Sequence, residues 1–116
     1  MTSPAEIVLD RRDGSVVARL SGEVDMSNAS YVRDQLLASM PNEALALVLD
    51  ISGCRYLDSA AIEVLFDVSR RLARRRQELR LVMPPDSPLR RVIELTEVHT
   101  AAPVYENLEE ALSAVG

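Results

Sequence analysis

Residues 47–72 read LVLDISGCRYLDSAAIEVLFDVSRRL, and the two halves of that stretch obey different periodicities. Leu47-Val48-Leu49-Asp50-Ile51 is an apolar run without a polar residue until the aspartate, the pattern of a buried strand. Ser52 to Leu57 reads as a loop with Gly53 as its flexible point, so Asp50 falls near the end of the strand. Asp58 and Ser59, both good helix N-cap residues, stand directly before a periodic apolar run. Ala61, Leu65, Val68 and Leu72 are spaced four, three and four apart, which puts them on one helical face. Ser59 is therefore expected at the mouth of a helix, at the C-terminal edge of a strand, with its hydroxyl at the surface. An open parallel α/β sheet places its working residues at that edge.

Working outward, Glu6 to Asp10 and Ser15 to Leu20 read as two strands joined by Asp13-Gly14, a two-residue hairpin signal. Ser21-Gly22-Glu23-Val24-Asp25 leaves the second strand, and Ser27 or Asn28 caps a helix whose buried face is Val32, Leu36, Leu37 and Met40 before Pro41 stops it. The helix after Ser59 extends to about Arg76, with Glu63 and Asp67 early and five arginines late, an order that suits its dipole. Leu79 to Met83 is a further strand, and Ser87-Pro88 starts a helix with proline at its first position. Val104-Tyr105 is a short edge strand. Asn107 caps a last helix with Leu108, Ala111, Leu112 and Val115 facing in. The order ββαβαβα(β)α predicts an α/β single domain over 5–115: a mixed, mostly parallel sheet of four or five strands, an N-terminal β-hairpin and about four packed helices.

The bulk composition narrows the function. The chain has 116 residues, 47% of them hydrophobic, enough for one core. Its net charge of −5 argues against nucleic acid or an anionic membrane as partner. All 13 basic residues are arginine, so no lysine is present for a P-loop or a Schiff base. The lone Cys54 fits a reducing cytosol and has no companions for a metal site. No signal pattern opens the chain, and no segment approaches the roughly 20 apolar residues of a membrane span, so a cytoplasmic protein without membrane insertion is expected. Ser59 lacks a Gly-x-Ser-x-Gly elbow, and the single histidine, His99, is far from it in sequence, so catalysis is not expected. Asp50 lacks the early acidic pair and late lysine of a phosphoryl-accepting aspartate and reads as structural. Arg70 to Arg76 reads as a solvated helix face. No cofactor and no metal are implied.

Three stretches together resemble the STAS domain of the anti-sigma factor antagonist type. Gly22-Glu23-Val24-Asp25 is similar to that family's GElD, Leu47 to Ser59 to its vvlDlsgv.fiDS, and Pro88 to Val98 to its p.v.r.l.ltgl helix. The resemblance runs from about residue 5 to the C-terminus. It implies that Ser59 is a phosphorylation site, with Asp58 its neighbour and Asp25 the acidic residue near the same pocket. Asp25, Asp58, Ala60 and Ala61 would then form the partner-binding surface. The implied partner is an anti-sigma factor with serine-kinase activity, bound by the unphosphorylated form so that a sigma factor is freed, with a phosphatase as a further partner. Where the family has Asp-Ser-(Ser/Thr/Ala)-Gly, this chain has Asp58-Ser59-Ala60-Ala61, which adds a methyl where a partner would approach. The alternative implied by the same resemblance is an accessory or scaffold subunit, of a lipid-transporting ABC system or a stress-sensing complex, without a phospho-switch.

Overall fold

The first hairpin fixes one edge of the sheet. Strand β1 (Glu6–Arg12) turns through Asp13 and Gly14 into β2 (Ser15–Val24). The two turn residues have φ of 49° and 83°, the paired positive values that match the right-handed twist of the flanking strands. The computed structural model describes residues 4–114, so the expected inward Val115 lies outside the described residues. After β2 come α1 (Ala29–Ala38), β3 (Ala46–Leu57), α2 (Ser59–Arg74), β4 (Glu78–Val82), α3 (Arg90–Leu95), a one-turn 3-10 helix at Val98–Thr100, β5 (Val104–Tyr105) and α4 (Leu108–Ser113). The five strands lie in the order β1-β2-β3-β4-β5, with β1 antiparallel to β2 and every other pair parallel.

Alternation along the three central strands divides the core. Val16, Ala18 and Leu20, with Leu47, Leu49, Ile51, Leu79, Leu81 and Met83, pack with the apolar stripes of α1, α2 and α3. Val17, Val48 and Val82 point to the other face, where Ala111, Leu108 and Leu112 of α4 cover them. One Gln77 carboxamide fastens the opposite end of the sheet: its Nε2 donates to the carbonyls of Pro41 and Ala44 at 2.8 and 2.9 Å.

Several elements depart from their sequence signals. Residues 52–57 are not a loop; β3 continues through them and pairs in parallel with Ser21–Val24 of β2. Asp50 is accordingly inside the strand, and β2 likewise extends through Gly22 and Glu23. Ser52, Gly53, Arg55 and Tyr56 mislead because they lie on exposed positions of a strand that buries only Cys54 and Leu57 there. Gly53 serves close approach rather than flexibility, since a Cβ there would lie 3.1 Å from the Cβ of Ser21. Helix α2 stops at Arg74, and Arg76 takes the left-handed φ of 59° that ends it. Helix α3 begins at Arg90 rather than at Pro88, because Ser87 closes a turn first: its Oγ accepts from the Leu89 amide and its carbonyl from the Arg90 amide. Leu37 is only partly buried.

A candidate regulatory site at the C-terminal ends of β2 and β3

Because β2 and β3 are parallel, the segments that leave them emerge side by side, and Asp58 locks them together. Its amide donates to the Val24 carbonyl at 3.2 Å. Its carboxylate divides between two amides: Oδ1 accepts from Ala61 at 2.9 Å, which caps α2, and Oδ2 accepts from Met26 at 3.0 Å. The β2–α1 loop is thus held on both sides of Asp25 by one residue 32 positions further along the chain. That tie is invisible in the sequence, where Asp58 shows only as a cap.

Ser59 is the first residue of α2 and is exposed. The cap at that helix is Asp58, so the Ser59 hydroxyl is not needed to hold the helix start. Ala60 is partly buried on the wall of a groove between α1 and α2 that also includes Met26, Ser30, Arg33, Glu63 and Arg70. Ala61 departs from its expected place: it is 2% exposed, its methyl packs into the core, and its amide is taken by Asp58. The methyl that this chain carries in place of glycine therefore faces inward, into the core.

Asp25 organises its own loop. Its carboxylate Oδ1 accepts from both the amide and the hydroxyl of Ser27. The Ser27 hydroxyl, then the Ser27 amide, hold its carboxyl below the usual value, more than offsetting its partial desolvation. Its backbone carbonyl accepts from Asn28 and Ala29, starting α1. Asn28 occupies the cap position but its side chain does not cap; Oδ1 accepts from the Asp25 amide and Nδ2 donates to the Glu23 carbonyl, bracing the loop from behind. The backbone brings Asp25, Asp58 and Ser59 to one end of the sheet, two acidic groups beside one exposed hydroxyl.

Two apolar residues there were missed by sequence reasoning. Met26 is 82% exposed, and Tyr56, paired across the sheet with Glu23, is 50% exposed. Tyr56 lay in what reads as a loop; with Arg55 it lies exposed between buried Cys54 and Leu57, where the β2–β3 register shifts, so no simple alternation marks it in the sequence. Cys54 is buried, with its thiol pushed up to about 12 by burial and then by the Asp50 charge. In the arginine run, Arg70 and Arg71 pair with Asp67, and Arg75 donates to the Met40 carbonyl. Among the described residues no helix is long and apolar enough to cross a membrane.

Comparison with known proteins agrees with this geometry. The model of the STAS domain matches residues 6–111. BtrV of Bordetella bronchiseptica, provisionally named an anti-sigma factor antagonist, is 29% identical over 110 residues, 94% of this chain and 93% of that protein. The crystal structure of an anti-sigma factor antagonist from Mycobacterium paratuberculosis superposes with a TM-score of 0.84 at 28% identity, covering 99% of this chain and 98% of that one. The antagonist SpoIIAA, at 19% identity, shares the fold. Its unphosphorylated form gives a TM-score of 0.74 over 96% of this chain and 100% of that one, and its phosphorylated form 0.67 over 92% and 96%. A five-stranded mixed sheet with the Asp-Ser step at the head of its second helix, matched by the STAS domain model over residues 6–111, settles the family: this chain belongs to the STAS domain family.

Proposed function

We propose that this protein binds an anti-sigma factor through the surface around Ser59, frees a sigma factor by doing so, and is switched off when that partner, acting as a serine kinase, phosphorylates Ser59. A phosphatase resets the switch, and the exchange takes place in the cytoplasm. The observation that carries this reading is an exposed Ser59 at the start of α2 whose helix is already capped by Asp58. The hydroxyl is free to be modified without dismantling the helix.

A phosphoserine carries about −1.5 to −2 charges at neutral pH. At a helix start the free amides and dipole favour that anion, so α2 is not expected to melt. The effect falls on the surface instead. Asp58 and Asp25 already make it acidic, and exposed Met26 and Tyr56 supply apolar contact beside them. A partner docked over those residues would have to desolvate a dianion next to two carboxylates, and like charges facing across an interface cost several kcal/mol, on the order of a thousandfold in affinity. The protein thus acts as a regulatory binding module rather than as an enzyme.

The test is capture from the native lysate on wild-type, Ser59→Ala and Ser59→Asp baits, with captured proteins identified by mass spectrometry. The expected result is one ATP-binding, kinase-like protein retained by wild type and Ser59→Ala and lost with Ser59→Asp, while all three baits keep the same circular dichroism spectrum. Equal capture of the same proteins by all three would overturn the switch.

A further inference from the structure

Strand β1 ends the sheet, and among the described residues no strand pairs with its outer edge. Edges of this kind are normally blunted by a bulge, a proline or charges along the strand. Here the β1–β2 register runs unbroken from Glu6 to Arg12, and no proline lies within the strand. Four of its seven residues are charged, Glu6 and the run Asp10-Arg11-Arg12, where the Asp10 carboxylate accepts from the Arg11 amide and the Arg12 guanidinium; Ile7-Val8-Leu9 is left as an uncharged stretch. Val8 is 60% exposed and Leu9 48%, although they sit on opposite faces of the sheet.

The occupant follows from self-complementarity. A second copy related by a two-fold axis perpendicular to the sheet pairs β1 with itself antiparallel. That symmetry sets even-numbered residues opposite even and odd opposite odd, so outward amides meet outward amides and faces match. Centring the axis on Val8 sets Glu6 against Asp10, and centring it on Asp10 sets that carboxylate against its own copy; both oppose like charges. Centring it on Leu9 sets Glu6 opposite Arg12 at each end, Ile7 opposite the aliphatic stem of Arg11, Val8 opposite Asp10, and Leu9 opposite Leu9. Of the three, only this register places opposite charges at both ends of the pair and sets no like charges directly opposite each other. The geometry points to a homodimer in which two β1 strands join through Leu9 into one continuous ten-stranded sheet, built from two sheets of five.

Seven residues per strand bury less than the area of a tight interface. Self-association is therefore expected at about 0.1–1 mM, an affinity of a few kcal/mol.

The test is sedimentation equilibrium of the full chain at low ionic strength, because exposed charges are screened by salt. The weight-average mass of wild type is expected to rise toward twice the monomer with concentration. Glu6→Arg alone and Arg12→Glu alone each face two like pairs and should weaken association about tenfold or more. A mixture of the two variants restores both opposite pairs and should recover the wild-type curve. Leu9→Lys should be monomeric throughout, and thermal melts show whether each variant remains folded. A wild type that stays monomeric to 1 mM on this scale would overturn the proposal. So would a dimer indifferent to the charge swaps, or a mixture no stronger than its components.

Discussion

Replacing Asp58 by alanine removes two hydrogen bonds with one change. The Oδ1 bond to the Ala61 amide is an N-cap, worth about 1 kcal/mol. The Oδ2 bond to the Met26 amide has an ionised acceptor and belongs to a class worth about 1.5–3 kcal/mol, but Met26 is exposed and water takes over part of it, leaving about 1 kcal/mol. Asp58→Ala should therefore destabilise by about 2 kcal/mol, a fall in Tm of roughly 6–10 °C for a chain of this size. Asparagine offers a single carbonyl oxygen and turns an amide toward the second donor, so Asp58→Asn should lose about half as much. Ser59→Ala, which touches neither bond, should stay within about 0.5 kcal/mol of wild type. Urea unfolding followed by circular dichroism, with equal m-values, measures all three. If Asp58→Ala lies within about 0.5 kcal/mol of wild type, or Asp58→Asn is as stable as wild type, the two-sided clamp is wrong.

Arg76→Gly should stabilise by about 1 kcal/mol, because the position has φ of 59° and glycine enters that region without a steric penalty; the same urea titration reads it. The Cys54 thiol, buried and raised to about 12, should resist iodoacetamide at pH 8 in the folded protein and react once urea unfolds it, as intact mass shows. Asp25 should titrate below the ordinary 3.8 in carboxyl-detected NMR. Since its folded midpoint is depressed, its contribution to stability is full above the unfolded value and fades as pH falls through the lower folded one. Ser27→Ala removes the hydroxyl donor and should move that midpoint back toward 3.8.

The parts of the fold that follow local rules could be read from the chain. Asp13-Gly14 gave the hairpin, the spacing of Ala61, Leu65, Val68 and Leu72 gave α2, and Asn107 gave the start of α4, where its Oδ1 accepts from Glu110. The parts settled by tertiary pairing could not. Ser52 to Leu57 have loop-like letters, yet a neighbouring parallel strand supplies their hydrogen bonds, and no local propensity records that neighbour. Asn28 was a good cap candidate, but bracing Asp25 and Glu23 uses its side chain instead. At the candidate site, Ser59 and Asp58 were legible because capping is a local pattern. The link from Asp58 to Met26 joins positions far apart in the chain and needed the sheet to bring them together. Exposure of Met26 likewise depends on what packs nearby.

The run of β3 into Asp58 and α2 decides what the proposed kinase would meet at Ser59. A substrate serine in a disordered tail can be drawn out and fitted to a cleft as a flexible thread. Ser59 instead sits two residues beyond a twelve-residue strand and inside the first turn of a sixteen-residue helix, pinned by the amide of Ile62 bonded to the Asp58 carbonyl. An enzyme acting there must take the domain as a rigid shape and bring its own cleft to the helix end. A short peptide copied from residues 54–64 should be a poor substitute, because it carries the letters without the curvature. Recognition is then a matter of surface topography, and an unfolded copy of the chain is silent to it.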